Sequence, residues 1–205
     1  MEKNAIEKII INQINNDELA IFAGAGMSIG AGYVSWKELL RDIAEEINLE
    51  IDKESDLVSV AQYHYNKYSR NKLDQKILNE FSNVANENPL VNVICKLPIR
   101  TIWTTNYDKL IEDTYKKFNK SVHVKVTNQQ LAISLHNKDC ELFKIHGDKD
   151  DPSNAVITRD DYEAFFRQKS LFVNRLISDL LSKTFLFIGY SFGDPNFEHV
   201  LSTIR

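Results

Sequence analysis

LAIFAGAGMSIGAGYVSW, residues 19–36, opens as a short apolar run of strand length and turns into a glycine-rich loop. A backbone that sheds side chains directly after a strand can come close to a phosphate, because glycine has no Cβ and tolerates φ > 0. A helix starting just beyond would add free N–H groups and a favourable dipole for a pyrophosphate. Gly24 and Gly26 carry this reading. The same triplet is also compatible with a tight strand-to-helix turn that holds no ligand. The usual dinucleotide fingerprint, with a third glycine and an acid about 20 residues later, is not cleanly present; Gly30 and Gly32 extend the loop instead.

Reading outward, residues 4–15 predict an amphipathic helix with Ile6, Ile9, Ile10 and Ile14 on one side. Downstream of the loop, Ser35 is placed to cap a helix, with Glu38 completing a capping box. Trp36, Leu39, Leu40, Ile43 and Ile47 then fall on one helical face. Residues 52–97 contain no convincing strand and predict a helical insertion. Strands are expected at 100–105 (RTIWTT), 122–126 (VHVKV), 141–145 (ELFKI) and 184–191 (TFLFIGYS). Helices are expected at 106–118, 128–137 and 159–183, and a last one follows Asp194 as N-cap and Pro195 at its first position. Strands alternating with helices predict an α/β fold, a Rossmann-like, mostly parallel sheet with helices on both faces and a helical insertion after the first strand.

Bulk properties exclude several function classes. With 205 residues, 43% hydrophobic and 26% charged, the chain can bury one sizeable core. A net charge of −4 argues against non-specific nucleic-acid binding, which needs an excess of Lys and Arg. No apolar run approaches the roughly 20 residues that span a bilayer. The N-terminus lacks the small-residue cleavage site of a signal peptide. Cys95 and Cys140 are far apart and make neither a disulfide framework nor a zinc site, so a reducing cytoplasm is the expected compartment. The last helix reaches Arg205 without a glycine cap or polar tail, which predicts a chain cut from a longer protein.

Ligands of open α/β sheets bind beyond the carboxyl ends of the strands. Polar or glycine-rich stretches fall at predicted strand ends at residues 24–28 (GAGMS), 104–108 (TTNYD), 146–148 (HGD) and 189–194 (GYSFGD). Asn106 can donate and accept at once, which suits a ribose hydroxyl or a water; it would serve equally as N-cap of the next helix. Asp108 is explained as well by the helix dipole. His146 can act as a base near neutral pH, or be a satisfied structural histidine. His64, His123, His136 and His199 lie inside predicted helices or a strand and read as structural. No His, Cys or acidic pair has metal-ligand spacing.

Taken together in this order, the four stretches resemble the sirtuin-like NAD-consuming fold. GAGMS resembles the sirtuin GAG-x-S loop, TTNYD stands where sirtuins carry Gln-Asn-Ile-Asp, HGD matches the catalytic His-Gly, and GYS matches a late Gly-x-Ser nucleotide contact. Two departures are equally informative. No cysteine follows His146, so the four-cysteine zinc module of deacylating sirtuins is missing, and GAGYVSW replaces the Gly-Ile-Pro-x-Phe-Arg continuation. FAGAGMS…GYVSWKELL, DLVSVAQY, LPIRTIWTTNYDKLIE, KIHGD, DDYE and SKTFLFIGYSFGDPNFEHVLS are similar to the sirtuin-like NADase domains of bacterial antiphage defence, the N-terminal domain of the Thoeris effector among them.

The resemblance implies hydrolysis of NAD+ to nicotinamide and ADP-ribose, with NAD+ as substrate and neither cofactor nor zinc. It implies one catalytic domain over 1–205, a C-terminal domain beyond it that senses a cyclic ADP-ribose-type activator, and a homo-oligomer. The implied catalytic residues are Asn106, holding the ribose or the water, and His146 as base. The implied substrate contacts are Ala23, Gly24, Ala25, Gly26 and Ser28 at the diphosphate, Thr105 and Asp108 beside the ribose, and Gly189 and Ser191 at the adenine ribose; Asp194 is expected to cap the last helix. The alternatives are an NAD-dependent protein deacylase and an NAD- or ADP-ribose-binding sensor that does not cleave.

Overall fold

The strands of the sheet pair in the order β3-β4-β2-β1-β5, and every pairing is parallel. They are β1 (Leu19–Ala23), β2 (Thr101–Thr104), β3 (Val122–Lys125), β4 (Cys140–Lys144) and β5 (Thr184–Ile188). The molecule is a computed structural model in which residues 3–205 are described. Helix α1 (Lys3–Asn15) precedes β1. Between β1 and β2 lie α2 (Ala25–Ile29), α3 (Trp36–Leu39), α4 (Arg41–Glu46), α5 (Leu57–Tyr68), α6 (Arg70–Phe81) and α7 (Pro89–Lys96). The anticipated helical insertion is therefore present, and it holds no strand. Then α8 (Leu110–Lys117) follows β2, α9 (Asn128–Leu131) follows β3, α10 (Arg159–Gln168) and α11 (Ser170–Ser182) follow β4, and α12 (Pro195–Thr203) follows β5.

The parallel sheet is covered on both faces, as its near-continuous apolar strands require. Side chains alternate across the pleat, and the register lines them up in rows. Ile21, Ile102 and Leu142 form a row in one core layer; Phe22, Trp103 and Phe143 form the next row, facing the other layer. The first layer is closed by Leu39 and Ile43, by Val60, Leu73 and Ile77 of the insertion, and by Ile94 and Leu110. The second is aromatic: Phe165, Phe172 and Phe197 pack from α10, α11 and α12. Trp103 stacks on Phe143 at 4.3 Å and gives its Nε1–H to the buried Asp179 at 2.9 Å, so the one polar atom of that indole is satisfied.

Several local expectations change. Ser35 does accept from the Glu38 N–H, but the Glu38 carboxylate grips Arg41 and does not close a capping box. The helix expected over 36–47 is interrupted at Leu40. The helix after β2 begins at Leu110, four residues later than Asn106, because Asp108 Oδ1 accepts the Leu110 N–H and holds residues 105–109 as a loop. The helix expected over 128–137 is a single turn, closed by a Thr127–Gln130 capping box, and His136 lies past its end. Asp194 and Pro195 do begin α12 as read. Cys95 and Cys140 are buried free thiols in the first core layer, and burial pushes both up to about 12, far from nucleophilic use.

Candidate active site

Because all strands run the same way, the loops after Ala23, Thr104, Lys144 and Ile188 emerge at one edge of the sheet. Strand β1 has β2 on one side and β5 on the other, so its carboxyl end is the point where the connections diverge and a crevice opens. A cavity of about 600 Å³ sits there, within the usual range for small-molecule sites.

The glycines make that crevice possible through close approach. Gly24 has φ −101, and neither it nor Gly26 adopts positive φ, so conformational freedom is not why they are glycine. A Cβ on Gly24 would lie 2.4 Å from the Gly189 carbonyl oxygen, and one on Gly26 2.8 Å from the same atom. The two turns are tied by Gly24 N–H to Ile188 O and Gly26 N–H to Gly189 O, both 2.9 Å. The chain after Gly24 is already helical, so the anticipated loop is a one-turn helix. Further along the β5 turn, Phe192 holds φ +57, uncommon for a bulky residue and frequent at functional sites.

Of the anticipated site residues, Ala25, Gly26, Ser28, Thr105, Asn106, Asp108, His146, Gly189 and Ser191 line the cavity. Ala23 and Gly24 do not. Ala23 is fully buried in the sheet and its carbonyl accepts the Thr104 hydroxyl, while Gly24 serves the site through its backbone. Asn106 is not a helix cap. Its Nδ2 donates to Gly24 O at 3.0 Å and to Ser28 Oγ at 3.1 Å, and its backbone N–H is held by Thr104 Oγ1. Asp108, which accepts the Leu110 N–H, has its carboxyl pushed up by burial against the pull of that hydrogen bond, of Ser28 and of Lys144. The turn after β1 and the Asn106 loop are thus one network.

A buried ion cluster fixes the Asn106 loop from below. Lys144, at the end of β4, donates to the Tyr107 and Asp108 carbonyls at 3.1 and 2.6 Å and pairs with Asp148 at 2.6 Å and Glu112 at 3.1 Å. Burial raises Glu112, whereas Lys144 and Lys109 outweigh burial at Asp148 and hold its carboxyl below the ordinary value. Asp148 of the HGD stretch is therefore a structural anion.

His146 is buried, and burial lowers its pKa, so the ring is neutral at pH 7. Tyr162 and Phe165 of α10 meet it edge-on at 5.6 and 5.7 Å. Its Nε2 lies 3.2 Å from Asp194 Oδ2. Sequence reasoning assigned Asp194 to capping alone, and missed Tyr162, Trp36, Asp56 and Tyr190 on the cavity wall. The available signals were an acid in the β5 turn and the tyrosine of DDYE. Helix α10, which brings Tyr162 to His146, starts with a Thr158–Asp161 capping box. Thr158→Ala should cost about 1 kcal/mol, read as a fall in Tm of roughly 2–4 °C in a chain of this size. Among the described residues no group of three or more His, Cys, Asp or Glu side chains converges as a metal site, and no helix is long and apolar enough to cross a membrane.

Fold and crevice define a parallel α/β protein with a ligand cleft at its topological switch point. The SIR2-like domain family matches residues 100–205, and the chain belongs to that family. It is 44% identical over 211 residues to the NAD(+) hydrolase ThsA of Bacillus cereus (strain MSX-D12), covering all of this chain and 44% of that protein. It is 47% identical over 208 residues to the NAD(+) hydrolase ThsA of Enterococcus faecium, covering all of this chain and 44% of that protein. Defense-associated sirtuin 2 of Bacillus subtilis is 28% identical over 215 residues, covering all of this chain and 21% of that protein. The chain spans less than half the length of these relatives.

Proposed function

We propose that this chain hydrolyses NAD+ to nicotinamide and ADP-ribose, as the NADase domain of a bacterial antiphage-defence effector that depletes NAD+. The observation that carries the reading is the meeting of Asn106 and His146 in one cavity with the interlocked glycines of β1 and β5, in a chain 44% to 47% identical to proteins named NAD(+) hydrolase.

The diphosphate would lie against the Ala25–Ser28 turn, with the adenine ribose toward Gly189 and Ser191 and the nicotinamide ribose toward Thr105, Asn106 and Asp108. Cleavage breaks the bond between ribose C1′ and the nicotinamide nitrogen, and that electron pair neutralises the departing ring. Nicotinamide is cationic before it leaves, so no acid is needed. The chain's task is orientation and stabilisation of an oxocarbenium-like state. Asn106, with both Nδ2 protons spent on Gly24 and Ser28, presents Oδ1 as an acceptor to a ribose hydroxyl or the attacking water. His146, neutral at pH 7, takes the proton as water oxygen bonds to C1′.

The wider setting belongs to the same proposal: a cytoplasmic homo-oligomer, with a C-terminal domain sensing a cyclic ADP-ribose-type signal. The deacylase alternative lacks the cysteines of a zinc module, since the only two present are buried in the core. Purified protein incubated with NAD+ should release nicotinamide and ADP-ribose in equal amounts by chromatography. His146→Ala should be slower by about a hundredfold or more. Equal release by both overturns the reading, and stoichiometric NAD+ binding without release would favour a sensor.

A further inference from the structure

Asp194 divides its two carboxylate oxygens between two tasks. Oδ1 accepts the N–H groups of Asn196 and Phe197 at 2.9 and 3.0 Å and so caps α12. Those two bonds fix the side-chain torsion, and with it the position of Oδ2, 3.2 Å from His146 Nε2. The imidazole is held as firmly, between the edges of Tyr162 and Phe165. The His146–Asp194 approach has hydrogen-bonding distance but not yet the alignment of a straight hydrogen bond; catalytic contacts of this kind commonly tighten when substrate fills the site.

A carboxylate can only accept, and a neutral imidazole carries one proton that the surroundings assign to one nitrogen. We propose that Asp194 is the positioning residue for His146: it keeps the ring proton on Nε2 and leaves Nδ1 as the basic nitrogen offered to the substrate. The inference rests on the NAD+-cleaving reading of the cavity, and it adds which nitrogen works and what selects it. The other ionisable groups facing the ring are Lys169, at the α10–α11 junction, and Tyr162 of α10. Neither replaces the carboxylate: Lys169 directs its Nζ to the Val126 carbonyl, and burial drives the Tyr162 hydroxyl up so that it stays protonated. Because the cap ties the carboxylate to the first turn of α12, the start of that helix and the orientation of the base are set by one side chain.

Two variants separate these tasks. Asparagine caps a helix as well as aspartate does. In Asp194→Asn the cap needs Oδ1, so the amide NH₂ faces His146 and donates to Nε2, which moves the ring proton to Nδ1. Asp194→Ser keeps a cap but is too short to reach the ring. Imidazole ¹⁵N shifts in ¹⁵N-histidine-labelled protein, assigned with His146→Gln, report the tautomer directly. The wild type should carry the proton on Nε2 and Asp194→Asn on Nδ1. Turnover of NAD+ by Asp194→Asn should fall by about a hundredfold or more, in kcat rather than KM, with Tm close to that of the wild type. Asp194→Ser should lie between the two. A wild-type ring protonated on Nδ1 overturns the proposal, and so does an Asp194→Asn enzyme with wild-type kcat when His146→Gln is inactive. If the wild type and His146→Gln release nicotinamide equally, the site reading fails, while the ¹⁵N shifts still decide the tautomer.

Discussion

Asn106→Asp is expected to lower NAD+ turnover by about a hundredfold to a thousandfold, the usual loss when a preorganised polar group at a reacting centre is removed. The orientation of the wild-type amide follows from its partners. Gly24 O can only accept, so the nitrogen must face it, and Oδ1 is left over. A carboxylate at this position has no proton to give. One of its oxygens would face the Gly24 carbonyl, and the loop carrying it would pull away from the turn after β1. Asn106→Ala removes the same two hydrogen bonds without the repulsion. At about 1 kcal/mol each, their loss should lower Tm by roughly 4–8 °C. Asn106→Asp should lie at or below that value. Steady-state kinetics beside a thermal melt distinguishes the effects: if either variant keeps turnover within about threefold of the wild type, Asn106 is a loop tie and not a catalytic residue.

Much of this arrangement was legible in the sequence, and the reasons differ from place to place. The strands were visible because a parallel sheet buried on both faces needs continuous apolar runs such as LAIFA. The edge where the site forms followed from strand ends alone. The proposed catalytic roles of Asn106 and His146 needed the resemblance, because a lone asparagine or histidine has an ordinary structural use. Asn106 illustrates why: its capping role was plausible until Asp108 proved to hold the start of α8. Asp194 went the other way. Its capping role was correct, and nothing in the local pattern indicates that the second oxygen reaches a residue 48 positions earlier in the chain. Nor was the Lys144 cluster legible, since a lysine inside a strand reads as a solvated face until β2, β4 and α8 are packed around it. The glycines were read as marking a close approach to a phosphate; before any ligand is considered, Gly24 and Gly26 make room for the Gly189 backbone.

That last point yields the largest expected effect on stability. Gly189 has φ +63, and a Cβ there would lie 2.3 Å from Met27 N and 2.7 Å from Gly26 C, both rigid backbone atoms at the start of α2. No rotamer relieves such a contact, so the β5 turn and the β1 turn must separate, which breaks the Gly26 N–H to Gly189 O bond. Gly189→Ala therefore combines the left-handed penalty of about 1–2 kcal/mol with an overpacking cost of about 1–3 kcal/mol. A fall in Tm of roughly 4–20 °C should follow. Turnover should be lost as well, because the surface proposed to meet the diphosphate is the seam being forced open. Gly193→Ala is the control. Its Cβ would meet only Ser191 Oγ, at 3.8 Å, and its φ is not positive, so its Tm should match that of the wild type. Equal melting temperatures for the two alanine variants would show that the seam is loose enough to accept a side chain, and that the glycines there serve the ligand alone.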